Sequence, residues 1–163
     1  MDLRDTSRVL VNLDRPNWPQ PSDGWPAWLS GARYVGSAHP QVPPEPRIES
    51  GANCQTYAYA VLSLFERPVA RHRSSELWAD PGFEHVEPEN AECLDLVLFN
   101  ADPSAWGAHV GVFMRNDELL HLCAEVGRPA VWSWAHFARR PRYRTVVGLV
   151  RIPPSQTDES VYR

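Results

Sequence analysis

Asn53-Cys54-Gln55-Thr56-Tyr57-Ala58-Tyr59-Ala60-Val61-Leu62-Ser63-Leu64-Phe65 is the stretch that decides how this chain folds. Ala58, Val61, Leu62 and Phe65 recur at helical spacing, Asn53 is a residue type that caps helix starts, and Arg67-Pro68 ends the run. The expectation is a helix buried on one face, with Cys54 in its first turn. That place matters chemically, because only the thiolate is a good nucleophile and a free cysteine of pKa ~8.5 is mostly protonated at neutral pH. A helix start offers unpaired N–H groups and about half a positive charge, which lower a thiol pKa. Cys54 is therefore expected to be unusually acidic.

A base is needed beside such a thiol, and a third polar group to hold that base. His109 opens the strand-like run Val110 to Met114, and His121 follows twelve positions later within Leu119 to Cys123. The residues between them, Arg115-Asn116-Asp117-Glu118, read as a hairpin turn. A regular hairpin places His121 opposite residue 112 or 113, roughly 10 to 13 Å along the strand from His109 at ~3.3 Å per residue. Only strong twist or a bulge brings the rings together. Leu94 to Phe99 and Thr145 to Ile152 are two further β-like runs, and Ser75 to Ala79 is a short helix in an otherwise loop-like segment. One main helix followed by an antiparallel meander is an α+β fold.

The 163 residues suit one compact domain, and a net charge of −4 gives no basic field for nucleic acid or anionic lipid. No run approaches the ~18 to 20 apolar residues of a membrane span. Met1 to Ser7 carry Asp2, Arg4 and Asp5 and lead only into Val9-Leu10-Val11, so the expectation is a chain made in the cytoplasm without a signal peptide, with delivery to the cell wall by another route left open. The three cysteines cannot all pair, and Cys93 and Cys123 read as core residues. His121, Cys123 and Cys93 lack the paired spacing of a zinc site, so no metal or cofactor is expected. Prolines crowd Arg15 to Pro46, yet Trp18, Trp25, Trp28 and Tyr34 lie among them. That mixture reads as an arm without regular structure, pinned onto the domain. The expected organisation is a Pro/Trp-rich arm over 1–33, a catalytic domain over 34–152 and a polar, fraying tail over 153–163.

In order and spacing, Tyr34-Val35-Gly36, Asn53-Cys54-Gln55-Thr56, Asp95-Leu96-Val97-Leu98-Phe99, His109-Val110-Gly111-Val112-Phe113 and Leu120-His121 resemble the NlpC-type cell-wall cysteine peptidases, a papain-like family. The resemblance spans about Tyr34 to Ile152. It implies a papain-like fold, with Cys54 as nucleophile, His109 as general base, His121 as the group orienting it and Tyr34 near the oxyanion and substrate. It also implies cleavage of an amide bond in a small peptide of peptidoglycan stem type, without a metal. Where the family usually has Asp-Cys-Ser-Gly, this chain has Asn53-Cys54-Gln55-Thr56, so Asn53 and Gln55 mark a changed substrate site on that resemblance. Trp106, just before His109 in a loop bearing Pro103 and Gly107, is a further candidate to line a substrate cleft. Two other readings stay open: acyl transfer or hydrolysis on a small intracellular amide or thioester, and a non-enzymatic binding module that uses the Pro/Trp-rich arm.

Overall fold

A computed structural model describes residues 17–155. The rest of the expected arm (1–16) and of the expected tail (156–163) lies outside the described residues. Helix α1 covers Trp28–Gly31, α2 Cys54–Ser63, α3 Ser74–Ala79 and α4 Trp134–Ala138. The strands are β1 Glu84–Val86, β2 Leu96–Asn100, β3 His109–Arg115, β4 Glu118–Leu122, β5 Pro129–Trp132 and β6 Thr145–Arg151. They form one antiparallel sheet in the order β1-β6-β2-β3-β4-β5. The fold is α+β, with α2 packed across β3 and β4.

Helix α2 forms where its sequence says it should. The Asn53 side chain accepts a hydrogen bond from the Thr56 N–H at 2.9 Å, and this cap fixes the helix start at Cys54. Tyr57, Ala58, Val61 and Leu62 are essentially inaccessible and lie in one core with Leu96, Leu98, Val110, Val112 and Leu120. At about 1.5–3 kcal/mol for each fully buried large aliphatic side chain, that face anchors the helix to the sheet. The Tyr57 hydroxyl donates to the Leu29 carbonyl at 2.5 Å, and Trp28 meets the Tyr57 ring edge-on at 6.0 Å. Trp18 is buried, with its indole N–H on Glu118, and Trp25 packs edge-on against Phe65. The Pro-rich segment does contain regular structure, the single turn α1, because Trp28 to Gly31 is a stretch free of proline.

Two strands carry too little sequence signal to be expected. β1 is three residues long on one edge, and β5 begins with Pro129, which an edge strand tolerates because one row of its amides needs no partner. Trp132 on β5 is nevertheless fully buried.

The β3–β4 hairpin is not regular. Glu118 stands opposite Arg115, but Leu119 stands opposite Phe113 and Leu120 opposite Val112, so Met114 is an extra residue in β3. Without it the pairing would continue to His121 opposite Val112, on the other face of the sheet from His109. With it, His121 comes beside Gly111, where a Cβ added to the glycine would lie 3.5 Å from the His121 Cβ. His109 and His121 thus become diagonal neighbours on one face.

Candidate active site

Three segments converge where α2 meets the sheet. Cys54 comes from the first turn of α2 and His109 from the first residue of β3, and both line a cleft of about 320 Å³ with Tyr34, Asn100, Gly107, Ala108, Cys123, Ala124, Arg142 and Tyr143. Tyr34 is brought there by a parallel bridge to Ala52, two residues before the cysteine, with the Val35 N–H on the Ala52 carbonyl at 2.9 Å. The start of β3 is fixed by buried Ser74, whose hydroxyl accepts from the Ala108 N–H at 3.1 Å. Asn100 ties down the loop between β2 and β3 by donating to the Ser104 and Trp106 carbonyls at 2.9 and 3.0 Å.

His109 Nε2 lies 2.9 Å from His121 Nδ1. Tyr143 packs against the His109 ring, with centroids 4.7 Å apart, and Trp132 and Phe137 enclose His121 at 4.2 and 4.7 Å. These aromatic walls exclude water, so both imidazoles are held neutral. Burial lowers the His109 pKa to about 3, with the Arg142 charge acting in the same direction. Burial also pushes His121 well below its ordinary value, and the neighbouring His109, Arg140 and His136 add to the effect.

Cys54 departs from expectation. Burial raises its thiol to about 11, and the backbone N–H groups of Val110 and Gln55 only partly oppose it. The helix start does supply N–H groups, but loss of water outweighs them, so the resting pair is a thiol and a neutral imidazole rather than thiolate and imidazolium. The cysteine keeps a partly accessible face on the cleft.

The other expected substrate residues separate. Tyr34 lines the cleft. Asn53 does not, because its side chain is buried as the cap of α2. Gln55 does not either; it is buried beside the cysteine with its carbonyl oxygen unpaired. Trp106 is 79% exposed and borders a neighbouring depression with Arg73, Ser74, Ser75 and Glu76, touching the cleft only through Gly107. Cys123 belongs to the core as expected, yet also faces the cleft, whereas Cys93 is only half-buried and packs at the core's margin. Asn100, Arg142 and Tyr143 were not foreseen. Arg142 and Tyr143 sit in the single 3-10 turn Pro141–Tyr143 before β6, where no motif marks them.

Buried Asp95 serves the architecture instead, for Arg151 grips its two carboxylate oxygens at 2.9 Å each and so clamps β2 to β6. Among the described residues no cluster of three or more His, Cys, Asp or Glu side chains is arranged to hold a metal ion, and no helix is long and apolar enough to cross a membrane.

No family model matches the chain, and no curated protein does. Among solved structures the fold is similar to the peptidoglycan hydrolase RipB from Mycobacterium tuberculosis, at 23% identity and a TM-score of 0.49, over 77% of this chain and 59% of that one. The chain therefore spans about three fifths of that structure's length.

Proposed function

We propose that this protein is a cysteine amidase or peptidase that opens an amide bond through a thioester at Cys54. The reading is carried by one arrangement: a cysteine at a helix start shares a cleft with an imidazole whose far nitrogen is held at 2.9 Å by a second imidazole. His109 Nε2 is engaged by His121, so Nδ1 is the nitrogen left for the thiol. As Cys54 Sγ attacks the substrate carbonyl carbon, His109 Nδ1 takes the thiol proton. The negative charge on the carbonyl oxygen is met by the Cys54 backbone N–H at the positive end of α2. Collapse breaks the C–N bond, and His109 returns its proton to the departing amine. Water, deprotonated by the same imidazole, then attacks the thioester and releases the acid and the free thiol.

The resting pair is neutral, and burial opposes transfer of the proton from thiol to imidazole, so the step depends on stabilisation of the oxyanion that forms with it. A thiol and a neutral imidazole hold the one proton that must move, and His109 needs no prior deprotonation at pH 7. The substrate class that best suits a small polar cleft with this chemistry is a short peptide, of peptidoglycan stem type or related to it. Incubating the protein with defined γ-D-glutamyl-diamino-acid peptides and muropeptides, and identifying new amine and acid ends by mass, tests the reading. Cleavage that disappears in Cys54→Ala is expected. Cleavage that persists in that variant contradicts it.

A further inference from the structure

Resting on that reading, we infer that Arg142 holds an ionised carboxylate of the substrate beside Cys54 and His109. Among the described residues, Arg142 is the one formally charged side chain that lines the cleft, and no acidic side chain lines it. It also has no carboxylate partner among them, whereas Arg140 is paired with Glu125 at 2.8 Å and Arg151 with Asp95 at 2.9 Å. The guanidinium lies 5.8 Å from the Tyr143 ring centroid, on a short turn opened by Pro141. Arg142 is exposed, and its planar guanidinium offers two parallel N–H donors in the geometry a carboxylate accepts. The chain as a whole is acidic, at −4, whereas the charge lining this cleft is positive.

The same arrangement connects recognition to chemistry. The Arg142 charge opposes protonation of His109, which the base must undergo in the first step. A carboxylate bound to Arg142 offsets that charge and favours the imidazolium that forms as the thiol is deprotonated. A substrate with its carboxylate masked should lose turnover as well as binding.

Two measurements on the full chain test this. In Cys54→Ala, a γ-D-glutamyl dipeptide and its two mono-amides, each masking one carboxylate, are compared by calorimetry. One of the amides is expected to bind at least tenfold more weakly than the parent, which also identifies the carboxylate concerned, and Arg142→Gln on the same background is expected to remove the difference. Parent and both amides binding alike overturns the inference, as does a difference that persists in Arg142→Gln. In the protein with Cys54 intact, iodoacetate and iodoacetamide are compared at pH 8.5 by peptide mass. In each case sulfur displaces iodide and the thiol proton passes to His109 or solvent. The iodoacetate-to-iodoacetamide rate ratio at Cys54 is expected to fall at least fivefold in Arg142→Gln, with the ratio at Cys93 unchanged. If Cys54 reacts with iodoacetamide but its ratio ignores Arg142, the carboxylate inference fails alone. If Cys54 resists both reagents while the calorimetric difference holds, the nucleophile reading fails and the carboxylate site stands.

Discussion

His109 Nε2 and His121 Nδ1 lie 2.9 Å apart because Met114 is one residue too many for its strand. The bulge moves His121 from a place opposite Val112 to one beside Gly111, and so from the wrong face of the sheet to the face of His109. The contact also fixes protons. For His109 Nδ1 to receive a proton from sulfur, Nε2 must carry the N–H and His121 Nδ1 must accept it. The His121 proton then resides on Nε2, which is buried without a polar partner among the described residues and faces the enclosure of Trp132 and Phe137. Its companions there are aromatic faces, the weak acceptors of N–H groups.

This proton arrangement makes the His121 series specific. In Asn, Oδ1 stands close to where Nδ1 stood and accepts from His109, whereas the amide of Gln is one carbon further out and does not fit the enclosure. Loss of an interaction of ~1.5–3 kcal/mol predicts a fall of about 10- to 100-fold in kcat/KM for His121→Ala, with His121→Asn recovering much of it and His121→Gln little. Steady-state kinetics on one defined peptide decides the matter. An alanine variant of near-native activity would reduce His121 to a core residue.

The pH dependence of Cys54 alkylation follows from its raised pKa. With the thiol near 11 and His109 near 3, neither group titrates between pH 6 and 9. The reactive thiolate fraction then grows about tenfold per pH unit across that range, so the iodoacetamide rate at Cys54 should climb about a thousandfold without levelling. A rate already flat from pH 6 would instead indicate an imidazolium–thiolate pair.

What the sequence disclosed follows the physics of each signal. The helix was legible because Asn53, Ala58, Val61 and Leu62 give both a cap and a period, and the strands of the meander because Leu96 to Phe99 and Val110 to Met114 are continuous apolar runs buried from both sides. The thiol and the imidazole were legible because each opens its element. Their protonation was not, since it depends on Tyr143, Phe137 and Trp132, which come from distant segments to displace water. The bulge left no mark either: Met114 looks like any apolar strand residue. Arg142 acquires meaning only through what surrounds it, and Asn53 and Gln55 lose their expected role once the fold turns both inward.

Asn53 gives a contrast between stability and specificity. Removing the cap in Asn53→Ala should cost about 1 kcal/mol, read as a lower denaturation midpoint. Asn53→Asp retains an acceptor for the Thr56 N–H and suits the positive helix end, so its stability should be native or slightly higher. Because the side chain is occupied away from the cleft, the aspartate should leave kcat/KM for an amine-bearing peptide within about threefold of native, roughly 0.6 kcal/mol. A tenfold gain would return residue 53 to the substrate site.

The most direct test of the whole reading is to quench a reaction with a cleavable peptide in acid within milliseconds to seconds and map the protein by mass. The Cys54 peptide should carry the mass of the substrate's acyl half, labile to hydroxylamine, with Cys93 and Cys123 unmodified and no adduct in His109→Ala. Turnover with Cys54 never acylated, or an adduct that forms equally without His109, would contradict the assignment of nucleophile and base.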